Sequence, residues 1–529
     1  MNPIRSLPRL ACLAALIATP VTLAAAEPIR VAIRPEAEGQ AFPHFWESMF
    51  GSGRAILALR ESYRDDIRLM KKAADFKYVR FHAIFHDEVG LYNEGDAGTP
   101  FYNPKEPDRP FYNFSYIDQI YDGLLANGVR PFVELSFMPR KLSSAPKIDF
   151  GFWYKPNHMP PKDYAKWDAM ITAFTRHLVD RYGIEEVAQW YFEVWNEPNI
   201  GFWGGKPYQK TYFELYDHTA RAIKAVNARL RVGGPSTAQA AWAGDFVAHV
   251  VRENIPADFV SSHVYANDTV ENVFNTKGMA PVPRDKMVCT AVRKVRDEVS
   301  RSARPTLPVI FSEYNASYAN EPNVTDDVYM AAWLATTVRQ CDGLTEGMSY
   351  WSFSDVFEEG GVVKTPFYGG FGAIAAGNIP KPAYNAFALL HKLGDTRLAS
   401  DSDSTLVTRR ADGTLVVALW NYAPPDATGP KYAPPAPPGP PLHFVLELPA
   451  AREGAKVALS RVDADHGNVV SAFDSMGRPP FPTREQAAAL RGMARLPAPE
   501  SMTVRRGRLE LDVPTHGLAV LEIPPAAAH

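Results

Sequence analysis

Two stretches of this 529-residue chain run apolar and then end on a glutamate: Tyr191-Phe192-Glu193-Val194-Trp195-Asn196-Glu197-Pro198-Asn199 and Val309-Ile310-Phe311-Ser312-Glu313-Tyr314-Asn315. In the first, a strand-like run delivers an amide, then a carboxyl, and a proline stops it. A pair of carboxyl groups meeting over one substrate can open a glycosidic bond, the protonated one donating to the leaving oxygen and the ionised one attacking the anomeric carbon. Glu197 and Glu313 are the candidates. Glu193 has the same chemistry, but strand alternation turns it to another face or sets it deeper, so it reads as structural. Glu134, in Phe132-Val133-Glu134-Leu135-Ser136, reads first as structural, then as a support to site residues, then as a rim contact.

Such carboxyls need a frame that carries strand ends to one place. From residue 43 to about 395, short β-branched or apolar runs alternate with longer amphipathic stretches, as in repeated βα units around a parallel sheet. Candidate strands lie at 44–50, 78–83, 130–136, 190–195, 231–235, 259–264, 308–313 and 347–352, and eight is the number that closes a (β/α)8 barrel. Helical periodicity marks 163–181, 208–230, 285–301 and 326–339. An open doubly wound sheet would show the same alternation, but no Gly-x-Gly-x-x-Gly turn follows a candidate strand. In a barrel, groups closing strands 4 and 7 face one mouth.

The expected class is therefore α/β: a TIM barrel over 41–395 followed by an antiparallel β-sandwich over 396–529. The sandwich strands are expected at 405–410, 414–422, 442–448, 455–462, 502–513 and 518–523, with a short helix near 484–493. Residues 27–40 hold a strand-like stretch, 29–33, expected to join that sandwich. A proline-crowded loop spans 424–441 and lacks the donors to join a sheet.

Fifty-six basic against fifty-nine acidic side chains leave a net charge of −3, which provides no footprint for nucleic acid or an anionic membrane. Arg5 and Arg9 precede an apolar stretch over 10–23 that ends in Ala24-Ala25-Ala26, the pattern of a cleaved secretory signal over 1–26. The stretch is too short to span a bilayer and contains Pro20. A periplasmic or secreted protein is expected. Beyond the signal only Cys289 and Cys341 remain, expected as buried free thiols although a single bridge is open to them. No cysteine/histidine cluster has zinc spacing, so neither metal nor cofactor is expected.

Around Trp195-Asn196-Glu197-Pro198 and Ser312-Glu313-Tyr314 the sequence resembles glycoside hydrolase family 39, and more broadly clan A of the glycosidases. The resemblance extends over Pro43-His44-Phe45-Trp46, Gly51-Ser52-Gly53-Arg54, the run from Val79 to Glu88 and Ser262-His263-Val264-Tyr265. It continues through Tyr350-Trp351-Ser352-Phe353-Ser354-Asp355, Phe357-Glu358-Glu359 and the segment from Lys364 to Gly372, where it is similar to the β-xylosidase branch. It implies a retaining exo-hydrolase of β-D-xylosides with Glu197 as acid/base, Glu313 as nucleophile and Asn196 on the sugar 2-hydroxyl. It further implies a sugar subsite walled by His82, His86, His263, Tyr265, Trp351 and Glu358 or Glu359, with Arg80 holding Glu313 ionised. Loop aromatics at 153–154 and 202–203 either line the leaving-group side or simply pack. The expected partner is a xylo-oligosaccharide or another small glycoside. Because family members with longer C-terminal segments associate, the short segment after 518–523 gives an expectation of a monomer.

Two other sugars fit the same family. An α-L-iduronidase needs cations around a sugar carboxylate, and Lys364 is the one obvious candidate in the motifs; α-L-arabinosidase activity follows from shared ring geometry. A non-catalytic sugar-binding barrel would lack a strand-end carboxylate, and this chain has both.

Overall fold

A computed structural model describes residues 27–100, 102–145, 150–276, 280, 282–363, 365–423 and 439–525. The signal-like stretch, Lys364 and most of the proline-crowded loop lie outside the described residues.

All eight expected barrel strands form, at β1 (Met49–Gly51), β2 (Tyr78–Phe81), β3 (Arg130–Leu135), β4 (Tyr191–Val194), β5 (Arg231–Thr237), β6 (Phe259–Tyr265), β7 (Val309–Asn315) and β8 (Gly347–Tyr350). Each pairs in parallel with the next, and β8 closes on β1. The first strand starts five residues later than its apolar run, because the run's first half forms a turn. Amphipathic helices such as Tyr164–Tyr182, Tyr208–Val226 and Arg284–Ser300 bury one face on the barrel, close to where periodicity puts them, whereas Tyr329–Cys341 is buried on nearly every side.

The inside of the barrel has a dry floor, where Met49, Phe132, Phe259 and Ile310 pack with Tyr78 and Tyr191. Strand side chains alternate, so the next inward position on these strands is one level nearer the mouth: Arg80 above Tyr78, Glu134 above Phe132, Glu193 above Tyr191, Ser312 above Ile310. The floor is apolar and the layer over it is charged.

Cys289 and Cys341 form a disulfide, which corrects the expectation of free thiols. They sit on the helices that follow β6 and β7. One βα unit separates them in sequence by 52 residues, yet those helices pack side by side and bring the Cα atoms to 5.1 Å.

After the barrel, a seven-stranded antiparallel sheet runs in the order Gln40–Ala41, Thr396–Leu398, Thr405–Arg409, Leu415–Trp420, Leu518–Ile523, Lys456–Val462, Glu500–Thr503. The second sheet holds Ile29–Ala32, Leu442–Glu447 and Arg508–Val513, the first pair parallel. Both sheets contribute to one apolar core, including Val31, Val417, Leu446, Leu459, Leu511 and Leu521. The run at 502–513 is two strands in different sheets, split where Arg506 and Gly507 both take positive φ. Arg484–Met493 is helical, with a capping box between Thr483 and Gln486.

Candidate active site

Arg80, 1% exposed, is the hub of the charged layer. Its Nε donates to Glu193 Oε2 at 2.6 Å, Nη1 to Glu313 Oε1 at 2.7 Å, and Nη2 to Asn196 Oδ1 at 3.0 Å and Ser236 Oγ at 3.3 Å, while Glu134 Oε2 lies 2.9 Å from Nη2 as an ion pair. A planar fork with donors on three sides is the one side chain that can serve four acceptors set around it. Burial works against its charge, but the three carboxylates outweigh burial and hold it protonated.

His82 continues from β2. Burial alone would discharge its ring, but Glu134 Oε2, 2.6 Å from Nδ1, together with Glu359 and Glu313 lifts its pKa to about 10. His82 is thus an imidazolium at neutral pH, with Nε2 3.5 Å from Glu359 and 3.9 Å from Glu313.

Glu197 and Glu313 meet at one cavity of about 340 Å³ at the mouth of the barrel. One carboxyl oxygen of each lies within 4.8 Å of the other. The backbone presenting Glu197 is bent: Trp195 and Glu197 have φ of 71° and 44°, and Glu197 N is tied to Ser236 O at 2.8 Å. Left-handed backbone at non-glycine residues costs about 1–2 kcal/mol each, so the surrounding hydrogen bonds must hold this turn.

Both carboxyls hold a proton more tightly than an ordinary carboxylate, Glu197 by much the more. Burial pushes Glu197 well above the usual carboxylate range, and the charges of Glu313 and Asp268 add to it. Burial raises Glu313 too, but Arg80, His82 and a 2.6 Å hydrogen bond from Tyr265 Oη all favour its ionised form. Glu313 therefore ionises first, and its charge keeps the proton on Glu197.

Of the expected site residues, His82, Asn196, Tyr265, Trp351 and Glu359 line the cavity with the two glutamates. Gly51 makes room for Trp351, since a Cβ there would lie 2.1 Å from the indole. Three do not reach the cavity. His86 packs edge-on against Tyr154, and its Nδ1 accepts from Glu88 N at 3.3 Å. Glu358 is turned away by Arg54 at 2.8 Å and Arg60 at 2.5 Å, which leaves Glu359 as the member of the pair on the cavity. His263, fully buried, lies behind both glutamates, with Nδ1 3.0 Å from Glu197 Oε1 and 3.7 Å from Glu313 Oε1.

Among the loop aromatics, Phe202 lines the cavity, Trp203 is core, and Trp153 stands outside over the Arg54 guanidinium. Phe152, Ile200, Ala238, Gln239, Asp268 and Tyr318, which no motif contains, complete the lining together with Phe371, which lies in the segment from Lys364 to Gly372. Asp268, pushed up to about 7 by burial, accepts from Tyr265 N at 2.8 Å; its place three residues after the Tyr265 strand end is the signal that points to it. Phe152, Ile200, Ala238, Gln239 and Tyr318 carry no such mark in the sequence.

Glu197, His263 and Glu313 are near enough to share a cation, as are His44, Glu47 and His391 elsewhere. At the first group the guanidinium of Arg80 already supplies positive charge to Glu313. At the second, Glu47 accepts from both rings at 2.6 and 2.8 Å.

Known proteins share this arrangement of sequence and fold. The chain is 37% identical over 459 residues to a β-xylosidase of Geobacillus stearothermophilus, covering 85% of this chain and 86% of that one. It is 35% identical over 456 residues to a β-xylosidase of Caldicellulosiruptor saccharolyticus, covering 84% and 87%. The crystal structure of a monomeric β-xylosidase from Caulobacter crescentus CB15 superposes with a TM-score of 0.81 at 34% identity, over 95% of this chain and all of that one. The family model for glycosyl hydrolases family 39 matches residues 29–509, and with two strand-end glutamates at one barrel mouth the chain belongs to that family.

Proposed function

We propose that this protein is a retaining exo-β-xylosidase in which Glu313 is the nucleophile and Glu197 the acid/base. The observation that carries the reading is the pair itself: carboxyl oxygens within 4.8 Å, with Glu197 holding its proton the more tightly and Arg80, His82 and Tyr265 supporting the charge of Glu313. An inverting site spreads its carboxyls by about 6.5–9.5 Å to hold a water, so this closeness supports double displacement.

In the first step Glu197 protonates the leaving oxygen while Glu313 attacks the anomeric carbon, giving a glycosyl ester and a free alcohol. In the second, Glu197, now a carboxylate, takes a proton from water as that water displaces Glu313. Asn196, fixed by Arg80 Nη2, is within reach of the sugar 2-hydroxyl, and Trp351 offers an apolar face to the ring. A cavity of about 340 Å³ is near the low end for ligand pockets, which suits the end of a small oligosaccharide.

Sugar charge separates the family's substrates. Among the described residues, the cavity is lined by four acidic side chains, Glu197, Asp268, Glu313 and Glu359, and one cation, His82, which is itself engaged by carboxylates. That balance repels a sugar carboxylate and supports a neutral pentose over an iduronide. α-L-Arabinosides are expected as slower substrates.

The test pairs two variants with two substrates. Glu313→Ala abolishes turnover of both xylobiose and an activated aryl β-xyloside, whereas Glu197→Ala loses xylobiose and keeps the aryl substrate, which barely needs protonation. Equal loss of both in Glu197→Ala removes the acid assignment. NMR of the first-formed anomer reads retention directly, and binding of sugars without product release would favour a non-catalytic barrel.

We also propose export of the chain, supported by the disulfide, which persists in oxidising compartments. Fractionation of cells expressing the full chain or one lacking residues 1–26 tests it. A monomer is expected by light scattering.

A further inference from the structure

Four groups stand in line behind the acid. Glu193 accepts from Arg80 at one oxygen, and its other oxygen, Oε1, lies 2.5 Å from Ser312 Oγ. A hydroxyl has one proton, and here it goes to the carboxylate. Ser312 Oγ can then only accept from His263 Nε2, 3.1 Å away. Arg80 Nη2 lies farther from the same nitrogen, at 3.4 Å, and has nearer acceptors for its two protons in Asn196 Oδ1 at 3.0 Å and Ser236 Oγ at 3.3 Å, so the shorter contact to Ser312 decides the ring proton. The ring proton is therefore on Nε2, and Nδ1, 3.0 Å from Glu197 Oε1, is bare.

We propose that Glu193 and Ser312 hold His263 as its Nε2–H tautomer, so that Nδ1 accepts the proton-bearing oxygen of Glu197 and keeps this acid loaded in the resting enzyme. The inference rests on the assignment of Glu197 as acid. His263, Ser312 and Glu193 are positioning residues: they touch no substrate and act through Glu197.

The sign of the effect follows from the tautomer. A bare nitrogen facing an ionised Glu197 sets lone pair against anion, and facing a protonated Glu197 it makes a hydrogen bond, so the arrangement favours the proton. The opposite tautomer would donate from Nδ1 and favour the carboxylate. Burial, with Arg80 and His82 nearby, keeps the ring itself neutral, so it cannot act as a cation toward Glu197. The other charged groups facing Glu197 are Glu313 from β7, Asp268 after β6, and Arg80 and His82 from β2, none of which is altered by a change at Ser312.

Ser312→Ala removes the acceptor for Nε2–H. On xylobiose, the alkaline limb of the kcat/KM profile is expected to fall by ~1 pH unit, the shift matching loss of one neutral hydrogen bond. On an activated aryl xyloside that limb stays in place, and Ser312→Thr, which keeps the hydroxyl, restores it on xylobiose. A limb that rises or does not move overturns the proposal. Should Ser312→Ala fail to fold, ¹⁵N NMR of histidine-labelled wild type decides, with His263 assigned by its loss in His263→Asn. A protonated Nε2 and bare Nδ1 are expected, and a protonated Nδ1 overturns the proposal. Failure of the acid assignment shows separately, as equal loss of both substrates in Glu197→Ala.

Discussion

Arg80→Lys tests the charged layer while keeping its charge. The guanidinium reaches Glu193, Glu313 and the Glu134/Asn196 pair through three nitrogens pointing in different directions, at 2.6 to 3.0 Å. An ammonium offers its three protons from one point and cannot span acceptors placed around a fork. On the shorter stem it stays near Glu134 and Glu193, the groups flanking β2's neighbours, and the bond to Glu313 is lost. A hydrogen bond to a charged group contributes about 1.5–3 kcal/mol, equivalent to about 1–2 pH units of lost preference for the ionised form. Weaker support raises the pKa of Glu313, and the nucleophile must be ionised, so the acid limb of kcat/KM moves up by about 1–2 units. An aryl β-xyloside is the right substrate, because its poor dependence on protonation isolates the nucleophile. The alkaline limb, which the proposed roles give to Glu197, should move up as well or stay. An acid limb that stays in place, or a loss uniform across pH, would refute the claim that Arg80 keeps Glu313 bare.

Three further outcomes follow from other parts of the molecule. Lys381, fully buried, is ion-paired with Asp326 and Asp355 at 2.6 Å each beneath the loop after β8, so Lys381→Met should cost ~3–5 kcal/mol, read as a fall in the urea midpoint. Opening the Cys289–Cys341 bridge by Cys341→Ala frees a 52-residue loop and should cost ~4 kcal/mol by chain entropy; alkylation of the wild type without reductant should label neither cysteine. His82 has a folded pKa of about 10 against an ordinary 6.5, so its pairing with Glu134 adds stability that is full below about 6.5 and lost as pH rises through about 10. The difference in thermal midpoint between wild type and His82→Gln should shrink across that window, and a difference that grows would reverse the sign.

Local pattern was enough for the eight barrel strands, the helix at Arg484–Met493 and the two glutamates at the ends of β4 and β7, because alternation, helical period and a strand-stopping proline act between near neighbours. Other features depended on groups far apart in the chain, and only the fold decided them. His86 and Glu358 stand in the same motifs as His82 and Glu359, yet Tyr154, Arg54 and Arg60 turn them from the cavity. The two cysteines meet because consecutive βα units pack their helices together. Which glutamate keeps its proton rests on Arg80, 233 residues before Glu313, and on the depth at which the barrel buries both. A side chain's type is written in the sequence, whereas its charge depends on the dielectric and the neighbours that folding brings to it.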